Sequence, residues 1–236
     1  RLPPVSVFSS GDNCWHTFDR WTLAGARRMT LYLADGGRLT EERPTAKNSS
    51  TGYLSDPADP VRYVETSGMR RPKEYMVADQ RFLAGRRDVL TFVTEPLTED
   101  VTLVGPVEAA LETALSTTAA DFVVKLIDCF PDGGEQRLVR GDAVRGRYRD
   151  GFTRPKAFVP GKPECVRLRT TDIAHTFRAG HRIMVQVQSS WFPLADRNPQ
   201  QFVDIYRCAA SDFIPCDVRI YHDRRRPSRL EVLRLR

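Results

Sequence analysis

The sequence lacks the patterns by which serine hydrolases and zinc enzymes are usually recognised. None of its glycines is followed two residues later by serine, so the Gly-x-Ser-x-Gly elbow that presents the nucleophile of an α/β-hydrolase is missing. Its four histidines have no His-Glu-x-x-His spacing. We expect each of them to be a surface or strand-end residue: His16, His175, His181 and His222.

Long apolar runs and paired cysteines are absent as well. No run approaches the roughly 18 residues that a membrane span needs, and no signal peptide opens the chain. The five cysteines contain no Cys-x-x-Cys pair, so a zinc site is not expected, although Cys208 and Cys216 could pair in an exported protein. The chain begins at Arg1 without a methionine. We therefore expect a piece of a longer protein, and we predict no localisation for it.

The charge is moderately basic, with 36 Lys and Arg against 30 Asp and Glu and a net charge of +6. Part of the excess lies near the C-terminus, where Arg224, Arg225 and Arg226 are consecutive. Nucleic-acid-binding surfaces interleave basic residues with exposed aromatic ones, and this sequence shows no such pattern. We interpret the arginines as a solvated surface and expect no nucleic-acid partner.

Short apolar runs separated by turn residues dominate the chain, and no long stretch has the 3.6-residue period of a helix. This pattern predicts an all-β sandwich, jelly roll or barrel. The Pro131–Gly134 turn predicts a hairpin, and residues 35–88 form the least regular part. The predicted strands cover residues 5–8, 29–33, 89–93, 101–103, 107–115, 122–130, 136–144, 165–168, 183–190, 218–221 and 230–235.

Residues 175–199 hold the densest group of large and charged side chains. From Ile183 to Ser190 apolar and mostly polar residues alternate, which predicts a half-buried strand. Trp191 and Phe192 then end the strand. Such aromatic residues can stack on a sugar or line a pocket, but at a strand end they are more often anchors of a core or a domain interface.

Two short polar loops supply the remaining candidate residues. Asp196-Arg197-Asn198 could grip a substrate carboxylate through the arginine fork, or Asp196 and Arg197 could pair with each other or with loop backbone. Asp56 and Asp59 lie three apart in a proline-bounded loop. Two carboxylates fall short of the ligand number of a Ca²⁺ site, and Asp before Pro is common in turns. We expect neither a metal nor a cofactor.

Several separate segments form one set along the chain. They are DPADPV (56–61), YMVADQRF (75–82), RDVLTF (87–92), EPLTEDV (95–101), GPV (105–107), DFVVKLID (121–128) and the run 175–199. Together they resemble the C-terminal domain of the X-Pro dipeptidyl-peptidase and cocaine-esterase family of serine hydrolases. The resemblance is greatest to the branch of α-amino acid ester hydrolases and glutaryl-7-aminocephalosporanic acid acylases, and it covers residues 53–222 strongly and 1–35 more weakly.

The resemblance implies an all-β jelly-roll sandwich of the galactose-binding-domain-like type, with a long irregular N-terminal segment. It places residues 1–52 in a segment leading from a hydrolase domain and residues 53–236 in the jelly roll. The family's catalytic serine, aspartate and histidine belong to an upstream α/β-hydrolase domain, and none of them maps onto this chain. His175 and His181 belong to the C-terminal block and should not be taken for the catalytic base.

The first functional hypothesis is therefore a non-catalytic domain that supports a hydrolase domain of the same protein and helps to wall its substrate cleft. We expect that domain as the partner and leave a homo-oligomer open. The alternatives are a carbohydrate-binding-like module and, least favoured, an esterase in its own right. The three tryptophans are each explained as core residues. The candidate interdomain or cleft contacts are Trp191, Phe192, Asp196, Arg197, Asn198, Asp56 and Asp59.

Overall fold

The computed structural model describes residues 2–21, 25–66 and 70–235 and confirms an all-β sandwich. The helical elements within these ranges are short 3-10 turns of three to five residues each: Asp35–Gly37, Lys73–Val77, Arg81–Leu83, Gly146–Tyr148 and Ala210–Asp212. The strands are β1 (Val5–Ser9), β2 (Cys14–Phe18), β3 (Arg27–Ala34), β4 (Arg38–Thr40), β5 (Ser50–Ser55), β6 (Leu90–Val93), β7 (Val101–Leu115), β8 (Asp121–Cys129), β9 (Gln136–Arg145), β10 (Glu164–Arg169), β11 (Ile173–Phe177), β12 (Arg182–Gln188), β13 (Cys216–Tyr221) and β14 (Arg229–Arg234).

Strands β1 and β2 form a hairpin by themselves, whereas the other twelve strands share one folded sheet. The main path of that sheet runs β5-β13-β7-β14-β3-β4-β6-β12-β8-β9. The long strand β7 also pairs with β10 and β11. The predicted hairpin at Pro131–Gly134 is confirmed, since it joins the antiparallel strands β8 and β9.

Two predicted strands, 101–103 and 107–115, prove to be the single strand β7. The register with β14 shifts between Glu231 and Leu233, opposite the bend that Gly105 makes with a φ of 77°. A bulge of this kind lets a strand continue through a glycine and a proline. The prediction missed β2, β4, β5 and β11, which are short or carry few apolar residues.

The main core lies between the layers of the sandwich and takes one face of β8 and β12, with Phe122, Leu126 and Val185 among its members. A second apolar cluster covers the opposite face of the same strands. Strand β12 is therefore buried on both faces, and the prediction that it is half-buried was wrong. Even the polar residues Gln186 and Gln188 are buried.

The cover over this outer face comes from the irregular residues between β5 and β6. Tyr63 and Val64 belong to the second cluster, and Tyr75 and Ala78 pack against it. The segment also extends the sheet beyond β9, because the Gln80 N–H donates to the Gln136 carbonyl at 2.8 Å. A stretch that looks like a loop in the sequence thus acts as an additional layer.

The β1–β2 hairpin leaves aromatic side chains in solvent. Trp15 is 68% exposed and Trp21 41% exposed, whereas Trp191 is only 7% exposed. The core explanation of these two tryptophans was therefore wrong. Trp15 lies on a two-stranded hairpin, which has one covered face at most, and Trp21 follows the end of β2. Cys208 and Cys216 are free thiols, so the suggested disulfide is absent.

The proposed division at residue 52 stays a prediction, as does the galactose-binding-like relationship. Strand β3, from the N-terminal segment, pairs with β14 inside the twelve-stranded sheet.

Across the described ranges, no helix has the length and apolar character needed to cross a membrane.

Candidate functional site

The two candidate loops, far apart in the sequence, lie side by side. The Phe192 N–H donates to the Val61 carbonyl at 2.9 Å, and the Tyr63 N–H donates back to the Phe192 carbonyl at 3.0 Å. Farther along, Arg197 Nη1 donates to the Pro57 carbonyl at 2.9 Å. The structure therefore joins residues 56–63 and 191–198 into one region, which we call the paired-loop surface.

Phe192, Asp196 and Arg197 face solvent in one loop, and Asp59 faces solvent in the other. The Arg197 guanidinium carbon lies 5.9 Å from the ring centre of Phe192 and 5.0 Å from that of Phe213. Contacts of this length are cation–π contacts. The arginine holds the aromatic ring in place while both keep exposed area, which makes the pair a preformed anchor.

Asp56 and Asp59 both make contacts with other residues of this chain. Asp56 Oδ1 accepts from the Ala58 N–H at 2.8 Å, which closes the turn. Asp59 lies 3.2 Å from Arg86, which also binds Asp88 at 2.8 Å. The Asp88 and Asp59 carboxylates raise the pKa of Arg86 above its ordinary value. No cluster of three His, Cys, Asp or Glu side chains within the described residues is placed to hold a metal ion.

Trp191 and Asn198 are buried and support the paired-loop surface from inside. The Trp191 ring lies over Gly141, where an added Cβ would come within 2.8 Å of its Cη2 atom. Asn198 donates to Asp121 Oδ1 at 2.6 Å and accepts from the Gln200 N–H at 2.7 Å. Burial raises the pKa of Asp121 to about 6, although Arg145 and Asn198 act in the opposite direction.

Lys125 is a charged side chain of the interior and is completely buried. Its Nζ donates to Gln80 Oε1 at 3.0 Å and lies 5.8 Å from the centre of the Trp191 ring. Neither partner carries a negative charge, and burial lowers the pKa of Lys125 to about 7. This side chain connects the paired-loop support to the covering segment.

A second buried cluster surrounds Asp128 at the end of β8. His175 Nε2 lies 3.2 Å from Asp128 Oδ2, and His181 Nδ1 lies 2.8 Å from Asp128 Oδ1. The other ring nitrogen of His175, Nδ1, lies 2.8 Å from the hydroxyl of Ser10. The expectation that His175 is a surface or strand-end residue was wrong, since it lies in the middle of β11 and is 2% exposed.

His222 is also buried, in a different arrangement. Its Nδ1 lies 2.7 Å from the Ser49 hydroxyl and its Nε2 lies 2.9 Å from the Thr51 hydroxyl. Burial lowers the pKa of His222, against the opposing charge of Asp35. Both histidines thus contact a serine, but only His175 has a carboxylate on its second nitrogen.

Sequence reasoning missed Lys125 and Asp128, which share the apolar strand β8. An ionisable residue within an apolar strand is costly unless it finds a partner, and that is the signal the sequence contained. The partners could not be found from it, because Gln80, His175 and His181 lie 45 to 53 residues away along the chain.

The described residues form a β-sandwich whose surface loops are held by hydrogen bonds, and the sequence contains no nucleophile elbow. The chain belongs to the family described as the X-Pro dipeptidyl-peptidase C-terminal non-catalytic domain, which matches residues 1–231. It is similar to the cocaine esterase of Rhodococcus sp. (strain MB1 Bresler), with 36% identity over 205 residues. That alignment covers 84% of this chain and 36% of the esterase.

Solved structures give the same picture. An aminopeptidase from the marine sediment archaeon Thaumarchaeota archaeon superposes with a TM-score of 0.95 at 39% identity, covering 100% of this chain and 41% of that one. An α-amino acid ester hydrolase superposes with a TM-score of 0.92 at 37% identity, covering 98% and 41%. The chain thus spans well under half the length of these relatives.

Proposed function

We propose that this chain is the accessory β-sandwich of a serine hydrolase and packs against an α/β-hydrolase domain of the same protein. The observation that supports this most is coverage: roughly 60% of the length of the similar esterase and ester hydrolase lies outside the part that this chain matches. The sequence described above contains no nucleophile elbow, so the elbow belongs to that additional part. The protein would cleave acyl bonds of esters or amides, with its choice of substrate set in the hydrolase domain.

We infer that the paired-loop surface contacts the hydrolase domain and walls its cleft. Phe192 gives an aromatic anchor at 36% exposure, with Arg197 and Asp196 around it as a polar rim. Interfaces between proteins and domains commonly combine these parts. Asp56 and Asp59 shape the neighbouring loop, and Trp191 and Asn198 fix the position of Phe192 and Arg197 from below.

Two single substitutions, one within the paired-loop surface and one outside it, test this proposal. Phe192→Asp puts a charge into the proposed contact, and Leu54→Asp does the same at a second exposed apolar residue, 53% exposed, on β5. In the longer protein we expect the first to lower the melting temperature by several degrees, corresponding to about 1–3 kcal/mol. The second should change it little, and kcat should be retained in both.

The same two variants in the 236-residue chain alone provide the control. If Phe192 contacts another domain, Phe192→Asp should cost clearly less there than in the longer protein. Equal losses of stability in the longer protein and in the 236-residue chain would show that Phe192 stabilises only the sandwich. A reading frame upstream of Arg1 that encodes no nucleophile elbow would overturn the hydrolase assignment itself.

The carbohydrate-binding alternative has one observation in its favour, the exposed Trp15 and Trp21. Sugar-binding platforms need coplanar aromatic faces, but the Phe8 and Trp15 rings meet edge to face at 62°. Calorimetry against a glycan panel separates the hypotheses, because the accessory-domain role requires no heat of binding. A homo-oligomer remains a prediction for sedimentation measurements on the longer protein.

A further inference from the structure

We propose that Ser10 is a nucleophilic serine, activated by His175 and Asp128, that accepts an acyl or phosphonyl group from small activated esters. The three side chains form one continuous chain of contacts from the protein surface to the interior. Ser10 is exposed, whereas His175 and Asp128 are buried. This inference does not rest on the proposed function.

The hydrogen-bond directions follow from the chemistry of the groups. An ionised carboxylate only accepts hydrogen bonds. Asp128 therefore requires a proton on His175 Nε2, 3.2 Å away, and a proton on His181 Nδ1, 2.8 Å away. A neutral His175 then has its lone pair on Nδ1, which must accept from the Ser10 hydroxyl at 2.8 Å. The serine faces a general base whose tautomer is fixed by a buried carboxylate, which is the logic of a catalytic triad.

Local structure holds the serine in this position. Ser10 follows β1 and bridges to β11: its N–H donates to the Ala174 carbonyl at 3.0 Å, and its carbonyl accepts from the Thr176 N–H at 2.8 Å. The hydroxyl has a competing acceptor in the Ala174 carbonyl at 3.2 Å. The contact to His175 is shorter by 0.4 Å and better suited to proton transfer.

A cavity of about 320 Å³ opens beside Ser10 and indicates what could reach it. Its walls combine an apolar part, Phe8, Trp21 and Ile173, with a polar part that includes Asp172. Arg140 also lines the cavity, and its Nε has no acceptor among the described residues. A small ester with an apolar arm and a polarised carbonyl or phosphoryl oxygen matches this combination of surfaces.

The reaction requires no additional reagent. The Ser10 oxygen attacks the carbonyl carbon, its proton passes to His175 Nδ1, and the bond to the alcohol or phenol oxygen breaks. The leaving oxygen takes the proton from His175, which restores the neutral base. The Ser10 N–H is already bound to Ala174 and is not free to stabilise an oxyanion. We therefore expect one acyl transfer per molecule and slow release, which agrees with membership of a non-catalytic family.

Ser49 gives a matched comparison within the same chain. Its hydroxyl lies 2.7 Å from His222 Nδ1, but the second nitrogen of His222 faces the Thr51 hydroxyl instead of a carboxylate. Ser49 also donates to Asp35. If proximity to a histidine were sufficient, both serines would react alike. If the buried carboxylate matters, Ser10 should react and Ser49 should not.

The test is labelling with a fluorophosphonate, followed by peptide mapping. Phosphorus binds to the serine oxygen, fluoride leaves and His175 takes the proton. Mapping assigns the label in the 236-residue chain or in a longer protein, so a nucleophile elsewhere does not interfere. We expect Ser10 to be labelled at least about 100-fold faster than Ser49, within the usual range of general-base assistance. Ser10→Ala should abolish this label, and Ser49→Ala should leave it unchanged.

Asp128 acts through His175 and is a positioning residue. Asp128→Asn should slow labelling of Ser10 at least about tenfold, while a folded sandwich, checked by near-ultraviolet circular dichroism, still gains one label per molecule. Equal labelling of Ser10 and Ser49, absence of label at Ser10, or an unchanged rate in a folded Asp128→Asn variant would each overturn the proposal. If that variant does not fold, the ratio of the labelling rates of Ser10 and Ser49 in the unaltered chain decides alone.

Discussion

The Nζ atom of Lys125 lies 3.0 Å from Oε1 of Gln80, and this neutral amide is its only hydrogen-bond partner among the described residues. The lysine comes from β8 and the glutamine from the segment that covers the outer face of the sheet. A buried ammonium group without a counter-charge is unfavourable. The contact therefore couples the attachment of the covering segment to the protonation of one side chain.

We predict that Lys125 contributes increasing stability to the folded protein as the pH rises from 7 towards 10. Burial lowers the pKa of Lys125 from 10.5 to about 7, so in this window the unfolded chain holds a proton that the folded chain has released. The free energy of unfolding then increases with pH, by at most about 4 kcal/mol over the whole window. Urea unfolding followed by tryptophan fluorescence at pH 6 to 9.5 measures it.

Lys125→Met is the matched control for this prediction, because it keeps an unbranched apolar stem and removes the titrating group. The increase between pH 7 and 9.5 should be absent from the variant, although Gln80 loses its donor. Parallel stability curves for the two proteins would contradict the prediction. Two groups oppose the increase at higher pH. Burial raises the pKa of Cys129 from 9.0 to about 12 and also raises the pKa of Tyr53, so the gain in stability should level off above pH 9 and reverse above pH 10.

Asp121 should give the opposite pH dependence in acid. Burial raises its pKa from 3.8 to about 6, so between these values the folded chain retains a proton that the unfolded chain has lost. Its contribution is complete below about pH 4 and decreases as the pH rises through 6, by up to about 3 kcal/mol.

Asp121→Asn isolates this effect from the other carboxylates. The variant keeps an oxygen that can accept from Asn198, so the loop support remains. The stability of the variant relative to the original protein should rise from pH 4 to pH 7 in denaturant titrations. A difference that stays constant over this range would show that Asp121 titrates normally.

The segments that carry strands could be predicted from the sequence, but the way they are covered could not. Alternation at Ile183–Ser190 located β12 correctly. It misjudged the second face, because residues of the irregular stretch between β5 and β6, such as Tyr63 and Val64, pack in the apolar cluster on that face. A period in the sequence reports only which side chains share a face, whereas burial depends on what packs there from elsewhere.

The candidate residues illustrate the same limit. Phe192 and Arg197 are candidates because of their residue types and their position after a strand. Asp56 and Asp59 are candidates because they lie in a proline-bounded loop. The backbone pairing between Phe192 and Val61 brings these loops together. No local signal in either loop indicates the other, just as nothing near Ser10 indicates His175.

Gly141 should be intolerant of any side chain. It faces Lys125 across the β8–β9 pair, and an added Cβ would lie 2.8 Å from Cη2 of Trp191 and 3.3 Å from Cγ of Lys125. Since Trp191 is buried and cannot move aside freely, Gly141→Ala should cost about 1–3 kcal/mol of unfolding free energy.

A double-mutant cycle with Trp191→Phe checks the cause. The smaller ring removes the closest atoms, so Gly141→Ala should cost less in that background, with a coupling of at least about 0.5 kcal/mol. Additive losses would mean that the glycine is required for its backbone instead of for the space it leaves. The cycle also bears on the proposed interface, because a Trp191 displaced from Gly141 would shift Phe192, the next residue along the chain. In the longer protein, Gly141→Ala should therefore lower the melting temperature more than in the 236-residue chain, with kcat retained.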